Sequence, residues 1–311
     1  MQTAPVKTIF DTDMSGDCDD TGALAILHKL ADAGEAEILA CVVNGIDQDK
    51  AVAASVSVIN TYYGRPQIPI GTYQGDRCPA TTSPYTASLR DEFPHHASPD
   101  DQMPSSLDVY RATLAAAPDG SVTVISVGFL INLRDLLESQ PDLHSPLSGF
   151  DLVRQKVKSL VLMGGAFPQS DPARGEYNLA FGGVGPDSQF VIETWPTPIL
   201  FSGWEIGDVV ITGKRLASAP SANPIRRAYE LYHTLDTGRF SWDLITVVAA
   251  VRGIGTLWAV SCDGYCKVSP IGTNEWFSSP NRGHAYMLSK AHPEEVADQL
   301  DSLLGMAVSN V

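Results

Sequence analysis

Cysteine is scarce in this 311-residue chain, with five residues at Cys18, Cys41, Cys78, Cys262 and Cys266. An odd, scattered set in a chain this long excludes a disulfide framework. Cys262 and Cys266 stand four apart without a second pair, so no zinc site is indicated. Thiols in a reducing compartment are the expectation. Positive charge is also short: 21 Lys and Arg face 36 Asp and Glu, a formal net charge of -15. Such a surface repels phosphate backbones, which argues against nucleic acid as a partner. Long hydrophobic runs are missing, so no membrane span is expected. The opening MQTAPVKTIFD has no apolar leader, and a cytoplasmic location is the expectation. Two phosphate-binding signatures are absent as well. Without G-x-x-x-x-G-K-[ST] the chain is not a P-loop enzyme, and without G-x-G-x-x-G after the first strand it lacks a dinucleotide loop.

Short apolar runs alternate with amphipathic stretches. Residues 6–10 read as a buried strand, 20–33 as a helix with Leu24, Leu27, Leu30 and Ala31 on one face, and 37–43 as a second strand. A helix at 49–63 and a strand near Ile68–Ile70 follow. Residues 72–104, rich in Pro, Ser, Thr and Asp, read as a long loop. Beyond it come helix 106–116, strand 121–127, helix 130–139, strands 157–163 and 197–202, and helices near 224–236 and 241–252. The tail alternates near 265–269 and 284–288 and ends in a helix at about 293–304. This alternation implies an α/β fold with an open, mostly parallel sheet flanked by helices. No linker or repeat divides the chain, so residues 1–311 are read as one domain. Ligands in such folds bind beyond the carboxyl ends of the strands. That places Asp11, Asp13, Asn44, Val127–Gly128 and Gly164–Gly165 where chemistry is expected.

The densest chemical signal is residues 11–20, DTDMSGDCDD. Asp11, Asp13, Asp17, Asp19 and Asp20 follow a buried strand, and the last two open a helix. A solvated turn with Asp19 or Asp20 capping that helix would account for one or two of them. Five crowded carboxylates repel one another unless a cation neutralises them. Hard oxygen ligands select calcium or magnesium.

This loop resembles the signature of the inosine-uridine-preferring nucleoside hydrolase family, Asp-x-Asp-Pro-Gly-x-Asp-Asp, in a longer form with two extra residues. Further family-like stretches occur in order: Asn44 after the second strand, VTVISVGFLINL at 122–133, LVLMGGAF at 160–167, EYN at 176–178 and SWDLITVVAAVRG at 241–253. The resemblance implies a nucleoside hydrolase-like, Rossmann-like core. It implies Ca2+ held by Asp13, Asp20, Asp243 and the backbone carbonyl at Val127, with Asp13 also the general base. It implies that Asp19, Asn44, Glu176 and Asn178 hold ribose hydroxyls, that Asp11 supports the loop, and that the chain pairs into a homodimer or homotetramer. Asp17, in the insertion, is left without a role.

The implied reaction is hydrolysis of a ribonucleoside to ribose and free base. N-glycosidic cleavage passes through an oxocarbenium-like sugar, which carboxylates stabilise, while Asp13 takes a proton from the attacking water. Trp242 stands where many members carry a His before the late metal Asp. Tyr232, His233, His95 and His96 are the candidate substitutes, and Trp204 or Trp242 could stack on the base. Ser170 falls where an Asn is frequent. Two other functions fit parts of the pattern. A haloacid dehalogenase-type phosphatase also has Asp-x-Asp after its first strand, but the Asp19–Asp20 pair has no place there. A non-catalytic nucleoside- or ribose-binding protein would keep the same site without turnover.

Overall fold

Successive residues of VKTIFDT point to opposite faces, as strand geometry requires, so Ile9 and Phe10 enter two different hydrophobic cores. The computed structural model describes residues 4–305. Its central sheet contains β1 (Val6–Thr12), β2 (Ala36–Val43), β3 (Ile70–Thr72), β4 (Val122–Ser126), β5 (Val157–Met163), β6 (Ile199–Ser202), β7 (Trp258–Ser261) and β8 (His284–Ser289). The order across the sheet is β7-β8-β6-β5-β4-β1-β2-β3. Every neighbouring pair is parallel except β7 with β8. The fold is therefore α/β with a mostly parallel sheet.

The helices are α1 (Asp19–Asp32), α2 (Val52–Tyr62), α3 (Thr86–Glu92), α4 (Ser106–Ala116), α5 (Ile131–Glu138), α6 (Gly149–Lys156), α7 (Gly185–Thr194), α8 (Pro224–Leu231), α9 (Trp242–Arg252) and α10 (Pro293–Leu304), besides shorter turns. Residues of α1, α2, α8, α9 and α10 pack with Phe10, Cys41 and Ile125 on one face of the sheet. Residues of α4, α5, α6 and α7 pack with Ile9, Val42 and Val124 on the other. Each fully buried Leu, Ile or Val contributes roughly 1.5–3 kcal/mol by removal from water. Both faces are covered, as a parallel sheet needs. No helix among the described residues is long and apolar enough to cross a membrane.

The chain leaves β1 toward β2 and β3, then returns to place β4 on the other side of β1. Winding direction thus reverses between β1 and β4, and a crevice opens above their carboxyl ends. Three sequence expectations need correction. Residues 72–104 are not loop throughout, since α3 lies within them, anchored by buried Tyr85 and Leu89. The helix expected to run to 236 ends at Leu231, because His233 adopts a left-handed backbone with φ 62°. Helices α6 and α7 and the antiparallel edge strand β7 were not anticipated.

Candidate functional site

Above the carboxyl ends of the strands lies a cavity of about 380 Å³. Asp13 enters it directly after β1, Val127 after β4, and Met163 from the end of β5. The start of α1 contributes Asp19 and Asp20, and the start of α9 contributes Trp242 and Asp243. Gly16, Asp17, Glu176, Tyr177, Asn178, Trp204, Tyr232 and Arg239 complete the lining. Residues far apart in the chain, 13–20, 127, 176–178 and 242–243, thus meet at one place.

Close backbone approach is built into the floor. A Cβ on Gly45 would stand 2.6 Å from the carbonyl oxygen of Asp13, and one on Gly128 would stand 2.6 Å from Asn44 Oδ1 and 2.8 Å from Asp13 Cβ. Any larger residue at either position displaces Asp13. Beneath it, Asp11 is fully buried and three side chains hold it. Asn44 Nδ2 donates to Oδ1 at 2.7 Å, Asn132 Nδ2 to the same oxygen at 3.0 Å, and Tyr110 to Oδ2 at 2.7 Å. Burial still lifts the Asp11 carboxyl to about 7, against the pull of these donors.

Asn44 does not line the cavity. Its carboxamide donates to Asp11 and accepts from the Phe129 N–H at 2.9 Å, so both ends are committed to support. The other residues expected from sequence, Asp13, Asp19, Asp20, Val127, Glu176, Asn178, Trp242 and Asp243, all reach the lining. Glu176 accepts from the N–H groups of Gly165 and Asn178 at 2.9 and 3.1 Å. Asn178 Nδ2 donates to the Met163 carbonyl at 3.1 Å. Trp242 Nε1 donates to the Trp204 carbonyl at 2.8 Å.

Charge dominates the site. Six lining carboxylates, Asp13, Asp17, Asp19, Asp20, Glu176 and Asp243, face a single lining cation, Arg239. Burial raises Asp13, with Asp20 and Asp17 adding repulsion, and it raises Asp243, with Asp19 and Asp20 adding to it. Asp19 is raised by burial and by Asp17. Burial lifts Asp20 to about 8 and Glu176 to about 7. Asp20 receives a hydrogen bond from Thr12, and the Asp243 carboxyl stands beside it. Buried carboxyls this crowded favour holding a proton, and a cation can take that proton's place. Ligand oxygens of Asp17, Asp19 and Asp20 also lie within 4.8 Å of one another. An all-oxygen, strongly anionic donor set of this kind fits a hard divalent cation.

The candidate acids are dispersed. Tyr232 lines the cavity, but His233, His95 and His96 do not. His233 is exposed. The backbone N–H of His96 donates to Ser57 Oγ on α2 at 3.0 Å, which ties this segment to a neighbouring helix. Arg239 and Tyr177 were not anticipated as lining residues. Asp17 gains a partner, since Arg239 Nη2 donates to its Oδ2 at 2.6 Å.

The sequence model of the inosine-uridine preferring nucleoside hydrolase family matches residues 8–290. Comparison with curated protein sequences finds no match. Among solved structures, a plant nucleoside hydrolase superposes with a TM-score of 0.70 at 21% identity, covering 97% of this chain and 100% of its own. An inosine-guanosine nucleoside hydrolase gives 0.71 at 17% identity, with 97% and 99% covered. The purine-preferring ribonucleoside hydrolase from Gardnerella vaginalis gives 0.70 at 15% identity, with 97% and 100% covered. At these identities the superpositions establish a shared fold.

Proposed function

The chain belongs to the inosine-uridine preferring nucleoside hydrolase family and is an enzyme of that class, and from this premise we propose that it hydrolyses the N-glycosidic bond of a ribonucleoside in a calcium-dependent reaction. The observation that carries the proposal is the convergence of six carboxylates on one cavity at the sheet's reversal point. Asp13, Asp20, Asp243 and the main-chain carbonyl of Val127 would hold Ca2+. A cation held there would supply Lewis acidity toward the ribose hydroxyls and the attacking water.

Asp13 then acts as the general base, taking the water's proton as oxygen attacks the anomeric carbon. Glu176, fixed by two backbone N–H groups, presents its remaining lone pairs to ribose hydroxyls. Asn178, whose nitrogen is held by Met163, presents Oδ1. Asp19 completes the sugar contacts. Asn44 acts one step back, holding Asp11 and the Phe129 backbone. The clustered carboxylates favour the positive charge that develops on the sugar. The continuous sheet from β7 to β3 supports treating the chain as one hydrolase domain.

The test is ribose release from a panel of nucleosides, with calcium and after chelation. Release that chelation abolishes and calcium restores is the expected result. Folded, calcium-loaded protein that releases no ribose from any nucleoside overturns the proposal in favour of a binding role.

A further inference from the structure

A nucleobase departs with the electron pair of the broken C–N bond, so negative charge grows on it as the bond lengthens. The carboxylate-rich floor of the cavity opposes that charge. The lining contains no histidine among the described residues, and its one cationic side chain is Arg239. The guanidinium carbon lies 5.0 Å from the ring centre of Trp242, 5.2 Å from Tyr232 and 5.6 Å from Phe240. Three rings therefore surround the guanidinium. Of its five N–H groups, one donates to Asp17, while Nε is buried with no partner. A buried N–H without an acceptor is costly. The Nη end of this side chain, which is about a fifth exposed, has N–H groups beyond the one given to Asp17, and these suit acceptor atoms of the kind found on base edges, purine N7 or O6 and pyrimidine O2.

We propose that Arg239 binds the nucleobase and stabilises its negative charge as it leaves, an inference that rests on the hydrolase reading above. In the step, the water oxygen bonds to the anomeric carbon and its proton passes to Asp13. The C–N bond breaks, and its electron pair stays on the base nitrogen beside the guanidinium. Arg239 keeps its own proton, because a guanidinium does not titrate in the working range. The base takes its proton from solvent on release.

The experiment compares wild type with Arg239→Gln on two substrates. One is the nucleoside that wild type cleaves best. The other is p-nitrophenyl riboside, whose leaving group is a stable anion without assistance. Arg239→Gln is expected to lower kcat on the nucleoside by about a hundredfold, as loss of one charge-stabilising donor typically does, with a much smaller loss on the p-nitrophenyl riboside. Arg239→Lys, which keeps the charge and loses the planar fork, is expected to fall between the two and serves the same comparison if the Gln variant does not fold. Equal losses on both substrates overturn the proposal and reduce Arg239 to a counter-charge for Asp17. No loss on either overturns it too. Wild type that cleaves neither substrate would instead overturn the hydrolase reading itself.

Discussion

At the scale of single residues, Asp13 is the position where sequence, geometry and chemistry coincide. Gly45 and Gly128 leave no slack around it, so a near-isosteric change tests chemistry with little disturbance of packing. Asp13→Asn is expected to reduce kcat on a nucleoside by about a thousandfold, within the range for loss of a general base, while circular dichroism stays that of wild type. A loss under tenfold would move the base elsewhere. The carboxylates were legible in the sequence because five of them follow a buried strand, which a solvated turn does not explain. Asn44 was legible as a strand-end residue but not in its direction. An Asn that reaches a ligand and one that turns aside to Asp11 leave the same mark in a sequence. Arg239 was not legible at all. It sits in the two-residue strand Arg239–Phe240, too short for any periodic pattern, and its importance comes from neighbours that only the fold supplies.

Elements with strong periodicity or clear caps were readable, and those without were not. The helix α4 and the final helix α10 fall where the pattern placed them. The helices α6 and α7 are eight and ten residues long and carry only short apolar stripes. Ser148 with Asp151 three residues on was an available start signal for α6, since Ser148 Oγ accepts from the Asp151 N–H. The packing of α1 against α2 carries a pH signature. His28 on α1 is fully buried, stacked on Tyr63 with ring centres 4.9 Å apart, and 2.8 Å from Asn60 Oδ1. Burial lowers its pKa from 6.5 to about 3. Unfolded His28 gains a proton below about 6.5 and the folded residue does not until about 3. Its contribution to stability is thus complete above the unfolded value and is lost as pH falls through this window. Urea unfolding of wild type and His28→Gln between neutral and mildly acid pH should show a shallower pH dependence for the variant. Parallel curves would refute this role for His28.

For the whole molecule, a cation held in the acidic cavity would be linked to folding. Calcium at a hundred times its dissociation constant should raise the unfolding free energy by about 2.7 kcal/mol if it binds only the folded chain. Binding must expel protons from the ligand carboxyls Asp13, Asp20 and Asp243, all raised by burial, with Asp20 lifted into the range of about 8. Affinity should therefore grow as pH rises through that range and fade below it. Calorimetry in two buffers of different ionisation enthalpy would detect the released protons, and their absence would argue against these carboxylates as the calcium site.

The separation of the site residues along the chain has a consequence for biosynthesis. The acidic loop 11–20 leaves the ribosome before Val127 and Gly128, and these before Asp243. Until β4 docks beside β1 and the start of α9 closes over them, these carboxylates stand in water, where mutual repulsion is weak. The charges that crowd the finished cavity are thus solvated while the chain grows. The repulsion reaches its full strength at the last docking step, which also completes the set of carboxylates around the cavity.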